Sequence, residues 1–238
     1  PPPPPPPLFH ADDGIRDCTR SLVGSEMCIR DSSTTAPRNE SGADTYPVDF
    51  DVTTGRHNRW FTNNGGGGDV VYGDRRDMHE RLLTYTSEPF DVDHEITGHP
   101  IITLYVRSTH EDGLFIAYLE DVAPDGRVTY VTEGQLRAVM RRVSDDPPLY
   151  RKMGPHHSQL RADAMPLVPG EVAELKFELW ATSVLIRKGH RLRIAVAGAD
   201  KDTFARYPLD GGEPTITIER NARYPSHLVL PFSTAGDH

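Results

Sequence analysis

The sequence predicts an all-β protein: an antiparallel, jelly-roll-like β-sandwich preceded by an N-terminal tail that lies outside the fold. Three observations predict this class. From residue 82 onward, short runs rich in β-branched and aromatic residues recur. Turns containing glycine, proline or aspartate separate these runs, and helical spacing of apolar residues does not persist over ten positions. Two sheets that each carry one apolar face bury those faces by stacking on each other.

The first strands are predicted at residues 100–107 (PIITLYVR) and 114–122 (LFIAYLEDV). A tight turn follows at residues 123–127, because Asp125-Gly126 tolerates the positive φ that a hairpin turn needs. The chain is expected to return as a strand over residues 128–132. Before these strands, the only helical signal is a single turn near residues 77–83.

Alternation of apolar and polar residues marks the later strands at residues 135–142, 171–180 and 190–197. Such a period of two leaves one strand face apolar and the other solvated. Two short apolar runs, at residues 215–218 and 227–230, close the sandwich. The proline-rich stretch 144–169 has no sustained period, which predicts a connection that wraps the surface or docks another domain.

The first 32 residues are excluded from the fold. Residues 1–7 are seven consecutive prolines, and residues 22–32 (LVGSEMCIRDS) resemble one reading frame of a transposase adapter used in DNA library preparation. We interpret residues 1–32 as disordered and adapter-derived, with a genuine disordered tail as the alternative. Both cysteines, Cys18 and Cys28, lie there, so we assign them no disulfide, redox or metal role. Residues 33–73 are predicted to be a linker or irregular arm, and residues 74–238 the sandwich.

Composition excludes several classes of function. The 238 residues carry a formal charge of −9, whereas a general nucleic-acid binder needs a basic face. No run approaches the roughly 18 apolar residues of a membrane span, and no signal peptide is visible, so neither nucleic acid nor membrane is an expected partner. The compartment stays open, with the cytoplasm slightly favoured. The glycines at 65–68 lack a following Lys-Ser/Thr, which favours a mobile loop over a phosphate cradle.

Seven short motifs stand out along the predicted sandwich: RLLTYTS (81–87), EITG (95–98), LEDVAPDGR (119–127), EGQLR (133–137), LWATS (179–183), GHRL (189–192) and PSHLVLP (225–231). Their order and spacing resemble one family, the C-terminal domain of α/β serine hydrolases typified by cocaine esterase, X-Pro dipeptidyl-peptidase and glutaryl acylase (the CocE/NonD family). The resemblance covers roughly residues 74–232, and the combination is more specific than any single motif. Two loops depart from the family pattern, at residues 111–115 and 197–208, which leaves substrate details open.

This resemblance implies a galactose-binding-domain-like sandwich that packs on the α/β-hydrolase domain of its own parent chain. That domain would carry the Ser-His-Asp triad and act on acyl esters, amides or X-Pro peptides. The nucleophile of such a domain sits in a G-x-S-x-G elbow, a motif that this sequence lacks. We therefore predict a non-catalytic domain cut off from its hydrolase, with no catalytic residue, no cofactor and no metal site of its own.

Trp60 and Phe61 are the candidate functional residues. They lie in an otherwise polar segment, where two exposed aromatic side chains are costly. The resemblance places this segment near the substrate cleft of the hydrolase domain, so we expect them to line that cleft or to dock on that domain. Local packing against the sandwich is the alternative.

The remaining polar candidates are expected to be structural. His156 and His157 are read as a polar loop, because adjacent side chains diverge and no third ligand is apparent. His190 is expected to hydrogen-bond the chain at the end of the sheet. Glu120, Asp121 and Asp125 are expected to be solvated turn carboxylates. Three arginines that alternate with apolar residues are expected on a polar face, pairing with Asp121 or Glu120; they are Arg137, Arg141 and Arg191.

A second class of function is a jelly-roll module that binds carbohydrate or another ligand, since many sandwiches do so. That class requires a concave face with two or three exposed aromatic side chains. The strand aromatics are expected to face the core instead; they are Tyr105, Phe115, Tyr118, Phe177 and Trp180.

Overall fold

The computed structural model describes residues 19–24, 31–33, 37–63, 68–146 and 148–234. Thirteen strands, one short helix α1 (Arg59–Phe61) and three 3₁₀ turns (Arg76–Glu80, Ala138–Met140 and Arg161–Asp163) make up this part of the chain. The strands are β1 (Thr19–Gly24), β2 (Asp31–Ser33), β3 (Ala43–Pro47), β4 (Leu83–Ser87), β5 (His94–Gly98), β6 (Ile101–Ser108), β7 (Leu114–Val122), β8 (Val128–Arg137), β9 (Ala173–Glu178), β10 (Thr182–Ile186), β11 (Arg191–Ala197), β12 (Thr215–Glu219) and β13 (His227–Thr234).

The strands form two layers, as the alternation predicts. One layer runs β4-β11-β7-β8 with antiparallel neighbours. In the other, β6 pairs with β9 along one edge and with β12 and β13 along the other. Strand β3 extends this layer beyond β12, and β5 and β10 extend it beyond β13. The antiparallel sandwich predicted from the sequence is therefore confirmed.

The main core lies between the two layers. Alternate residues of β7 and β11 point into it, including Phe115, Leu119, Leu192 and Ile194. The facing layer contributes Ile102, Leu104 and Val106 of β6, Leu175 and Phe177 of β9, and Leu228 and Leu230 of β13. Full burial of one such side chain stabilises a fold by about 1.5–3 kcal/mol. This core explains why one face of each of these strands is apolar.

The opposite face of β7 and β11 is also buried, which a simple two-layer sandwich does not require. Ile116 and Tyr118 of β7 and Ala195 and Ala197 of β11 form a second cluster there. The segment between β3 and β4 covers it, since Val52 and Leu82 belong to the same cluster. Strand β7 is consequently buried at its first seven positions, and its sequence is a continuous apolar run because both of its faces are covered.

The arm predicted for residues 33–73 is partly regular. Strand β3 pairs with β12 at the edge of one layer, from Tyr46 opposite Ile216 to Ala43 opposite Glu219. After β3, the chain crosses to the outer face of the other layer and forms α1. The predicted loop at residues 65–68 lies largely outside the described residues.

The segment 1–32 also lies mostly outside the described residues. Within it, β1 pairs with β13, and β2 pairs with β1 and runs parallel to β4. Both strands fall in the stretch set aside above. The adapter origin of residues 1–32 stays a prediction.

Two strand predictions need adjustment. Residues 128–132 and 135–137 form one continuous strand, β8, and the chain leaves it as a 3₁₀ turn at Ala138–Met140. The turn between β7 and β8 has Gly126 at φ 83°, as Asp-Gly predicts. The proline-rich connection contains only the 3₁₀ turn Arg161–Asp163 among its described residues. No helix in the described part of the chain is long and apolar enough to cross a membrane.

Candidate functional site

The short helix α1 is fixed by its capping residue. Asn58 is almost fully buried, and its side-chain oxygen accepts a hydrogen bond from the Phe61 amide at 2.9 Å. Its side-chain nitrogen donates to the carbonyl of Gly55 and to the hydroxyl of Thr203, both at 2.7 Å. An asparagine cap satisfies amides that a helix start leaves unpaired. These bonds hold Trp60 and Phe61 at a defined position on the outer face.

Trp60 points inward from α1 and joins a cluster of aromatic rings. Its ring is 5.3 Å from the ring of Trp180, which follows β9, and 5.3 Å from that of Phe204, with edge-to-face angles of 78° and 70°. Its indole N–H donates to the carboxylate of Glu133 on β8. Edge-to-face packing is the arrangement that aromatic pairs prefer. The cluster therefore joins the arm, β8 and the residue after β9.

Glu133 is an acid held in an apolar setting. It is almost fully buried, and burial raises the pKa of its carboxyl, against the opposing influence of the Trp60 N–H and the Arg59 charge. The Tyr130 ring stacks on Tyr72 at 3.8 Å. Burial raises the pKa of both phenols, so they stay neutral at physiological pH. A raised carboxyl pKa is common at functional sites, although buried structural networks produce it too.

Phe61 points away from this cluster and is partly exposed. The guanidinium of Arg56 lies 5.0 Å from the centre of its ring. Two further apolar side chains, Val70 and Val71, are exposed after residues 64–67. The Val71 amide donates to the His57 carbonyl at 2.7 Å, which ties this strip to the base of α1. We call Phe61, Val70 and Val71 the arm patch.

A buried aspartate anchors the arm to the sheet. Asp200 accepts hydrogen bonds from the Thr54 hydroxyl at 2.5 Å and from the Tyr118 hydroxyl at 3.1 Å. It also accepts from the Thr54 amide. Tyr118 belongs to the second apolar cluster, so Asp200 links the arm directly to β7. Burial and the nearby charge of Asp200 raise the pKa of Tyr118 far above its usual range.

Next to this anchor, three buried charges form a triad. Glu120 on β7 accepts from Arg75 at 2.5 Å and from Arg193 on β11 at 2.6 Å, and its own exposure is 0%. Arg193 also donates to the Arg75 carbonyl at 2.7 Å. Burial alone would lower the pKa of Arg75, but the charge of Glu120 and its hydrogen bond outweigh that effect, and the net shift is upward.

The triad corrects the expectation for Glu120, which is not a solvated turn carboxylate. The segment around Arg75 lies over it, and the sequence signal of that cover is that β7 is apolar at both odd and even positions. Asp121 instead accepts from His190 at 2.9 Å, which gives His190 the expected structural role at the sheet end. Asp125 is exposed in the turn.

The three arginines predicted to pair with Glu120 or Asp121 have other partners. Arg137 pairs with Asp112 at 2.7 Å. Arg141 donates to the carbonyls of Met165 and Pro166, and Arg191 lies 3.7 Å from Glu88. Sequence reasoning named neither of the actual partners of Glu120, Arg75 and Arg193.

The strand aromatics divide between core and surface. Phe115 and Phe177 face the main core as expected, while Tyr118 is buried in the second cluster. The expectation is wrong for Trp180, whose exposure is 49%, because the chain leaves β9 two residues earlier. Tyr105 is half-buried.

His157 is engaged with the backbone. Its two ring nitrogens lie 3.0 Å from the Arg142 carbonyl and 2.9 Å from the Lys176 carbonyl. Both nitrogens therefore face hydrogen-bond acceptors and are unavailable to a metal. Across the described ranges, no group of three or more histidine, cysteine, aspartate or glutamate side chains is placed to hold a metal ion.

Comparisons with known proteins give the family. Residues 20–229 match the family described as the X-Pro dipeptidyl-peptidase C-terminal non-catalytic domain. A Mycobacterium bovis protein named as a serine esterase is 51% identical over 196 residues, covering 82% of this chain and 31% of that protein. The cocaine esterase of Rhodococcus sp. is 30% identical over 214 residues, covering 84% and 34%. The chain thus spans about a third of the length of these relatives.

Solved structures agree on the fold. An α-amino acid ester hydrolase superposes with a TM-score of 0.71 at 18% identity, covering 90% of this chain and 36% of that one. A CocE/NonD family hydrolase from Staphylococcus aureus gives 0.62 at 17% identity, covering 90% and 36%. With the family match over most of its length, the chain belongs to the X-Pro dipeptidyl-peptidase C-terminal non-catalytic domain family, found in hydrolases of the CocE/NonD type.

Proposed function

We propose that this domain packs on the α/β-hydrolase domain of a serine hydrolase through its arm and helps to shape the substrate cleft. The observation that carries the proposal is the arm patch, three exposed apolar side chains on a segment whose base is tightly fixed to the sandwich. Exposed apolar side chains in one strip mark interaction sites. The partner that covers the arm patch is the hydrolase domain, because the chain covers about a third of the length of relatives that are named as esterases.

The arm is built to present this patch at a fixed position. Asn58 caps α1, Asp200 ties Thr54 to Tyr118, and Trp60 packs between Trp180 and Phe204. A surface that is ordered before docking loses little conformational entropy on docking. This rigidity supports a role in positioning a partner domain.

The same geometry divides the roles of the two predicted aromatics. Trp60 anchors the arm to β8 through Glu133, and Phe61 is available to a partner. We assign Phe61 to the hydrolase contact or cleft wall and Trp60 to its support. The substrates would be those of the parent hydrolase: acyl esters, amides or X-Pro peptides.

A chimera tests this proposal with a complete protein. The C-terminal third of the 51% identical Mycobacterium bovis relative is replaced by this chain, and hydrolysis of a p-nitrophenyl ester is followed. Phe61→Ala with Val71→Ala should weaken domain docking, which limited proteolysis and a lower unfolding temperature detect. Leu185→Ala removes a side chain on β10 whose exposure, 46%, lies between those of Phe61 and Val71, and it serves as the control.

The KM and kcat values separate cleft shaping from docking. If Phe61 lines the cleft, Phe61→Ala raises KM for bulky esters with little change in kcat. Equal behaviour of the Phe61/Val71 and Leu185 variants in proteolysis, unfolding and kinetics would overturn the proposal. The 238-residue chain alone should not react with a fluorophosphonate probe, and a stoichiometric adduct would contradict a non-catalytic domain.

A further inference from the structure

A cavity beside Trp180 has the properties of a small-molecule site. Its volume is about 370 Å³, within the range of about 300–1,000 Å³ that is typical of ligand pockets. It lies between the proline-rich connection and the ends of β8 and β9, and it is separate in sequence from the arm patch. Six of its lining residues matter to the argument: His99, Gln135, Tyr150, Lys152, Glu178 and Trp180.

Two aromatic rings at this cavity are accessible. Trp180 is 49% exposed and Tyr150 is 65% exposed. The tryptophan is held from behind by its edge-to-face contact with Trp60, so its position is fixed. Two exposed rings on a concave surface suit a ligand with an apolar face. They also meet the requirement of a ligand-binding sandwich for a concave face with two or three exposed aromatic side chains.

The polar groups of the cavity are incompletely satisfied. Glu178 uses one carboxylate oxygen to pair with Lys152, while its other oxygen is buried without a hydrogen bond. The side-chain oxygen of Gln135 and Nδ1 of His99 are likewise buried and unbonded in the described structure; His99 Nδ1 lies 3.7 Å from Glu178. Such groups are rare in folded proteins and call for a specific cause.

The charges of the cavity decide the chemistry of the ligand. Glu178 and Lys152 neutralise each other, so neither a strong cation nor a strong anion gains from the site. A neutral ligand with several hydroxyls can accept from Lys152, and rotation of the Gln135 and Glu178 side chains toward the cavity lets it donate to their oxygens, which are buried and unbonded in the described structure. A pyranose ring also carries a C–H face that can lie on an exposed indole. We propose that this cavity binds a single neutral sugar residue, independently of the hydrolase domain.

The test uses the 238-residue chain and four probes, the methyl glycosides of glucose, galactose, mannose and N-acetylglucosamine. Binding is followed by saturation-transfer NMR and calorimetry, and by tryptophan fluorescence, since the chain has two tryptophans that contact each other. We expect saturable binding of at least one glycoside in the millimolar range or tighter. Trp180→Ala and Glu178→Gln should each weaken it by about tenfold or more, because each removes one of the contacts that orient the ring.

Matched controls separate binding from folding and from docking. Leu209→Ala removes an exposed apolar side chain away from the cavity lining and should bind like the unmodified chain, and so should the Phe61/Val71 variant. Circular dichroism checks that every variant is folded. No saturable signal with any of the four glycosides would overturn the proposal. So would binding that survives both cavity substitutions, or tighter binding of benzylamine than of every glycoside.

Discussion

Replacing Glu120 by alanine should be among the most damaging single changes outside the main core. The carboxylate is fully buried between Arg75 and Arg193, whose side chains are 7% and 6% exposed. Removing it leaves two guanidinium groups facing each other without solvent or counter-charge. Breaking a buried ion pair in this way costs about 3–5 kcal/mol, which is a large part of the 5–15 kcal/mol that typically stabilises a domain.

The assay is urea unfolding of the full chain followed by circular dichroism. Glu171→Ala is the control, since Glu171 is an exposed glutamate and such surface changes stay within about 0.5 kcal/mol. Glu120→Gln keeps the shape and one oxygen acceptor, so it should fall between the two and remain measurable if the alanine variant does not fold. A loss below about 1 kcal/mol for Glu120→Ala would refute the argument that the triad is a tightly coupled buried unit.

Replacing the whole triad is a different experiment with a different expectation. Apolar residues of similar volume at all three positions remove the charges together, which in other proteins is neutral or stabilising by about 1–4 kcal/mol. Here Arg193 also donates to the carbonyls of Arg75 and Arg76, and leaving buried acceptors unpaired costs about 1–3 kcal/mol. These two effects offset each other in part, so we expect the variant Arg75→Met/Glu120→Leu/Arg193→Met to be more stable in urea unfolding than Glu120→Ala alone, and an equal or larger loss would contradict this.

Three further changes test other parts of the fold. Burial raises the pKa of Glu133, so ionising this carboxyl costs stability, and the free energy of unfolding falls as the pH rises from about 4.3 through the raised pKa. Glu133→Gln keeps an acceptor for Trp60 and should therefore become more stable relative to the unmodified chain over that pH window in urea unfolding. A stability difference between the two chains that does not change with pH would contradict this. Gly134→Ala should cost about 1–3 kcal/mol in chemical unfolding, because its Cβ would lie 2.4 Å from the carbonyl oxygen of Glu178 on β9. The control Gly212→Ala has open space around it and should be neutral or slightly stabilising. Asn58→Ala should cost about 0.5–2 kcal/mol and broaden the NMR signals of the α1 amides, and an unchanged spectrum would argue against the cap as the arm's anchor.

The sheet was predictable from sequence because its strands obey a local rule. In β9 and β11 the period of two places one set of side chains in the main core, and Asp125-Gly126 marks the hairpin turn between β7 and β8. These signals depend on neighbours within a few residues. Pairing order and layer membership depend on distant residues, and neither was predicted.

The candidate site was only partly predictable, because its geometry comes from the arm lying over a sheet face. Glu120 stands two residues from the end of β7, where a carboxylate normally meets solvent, and Arg75 is 45 positions away in the sequence. Glu133 looks like an ordinary strand glutamate until Trp60 covers it. One signal was available: β7 is apolar at both odd and even positions, which is typical of a strand covered on both faces.

The covered outer face also explains why this domain can carry charged groups where a simple sandwich would be solvated. The segment between β3 and β4 excludes water from β7 and β8, and each of three carboxylates beneath it pairs with a group on that segment: Glu120 with Arg75, Asp200 with Thr54, and Glu133 with Trp60. Buried polar groups must be paired to be tolerated, and each pair has its ideal geometry only when the arm is seated in one position. The main effect of these buried polar contacts is therefore to fix the arm in one position, rather than to add stability to the fold. The proposed contact of Phe61 with a hydrolase domain would depend on that placement more than on extra stability.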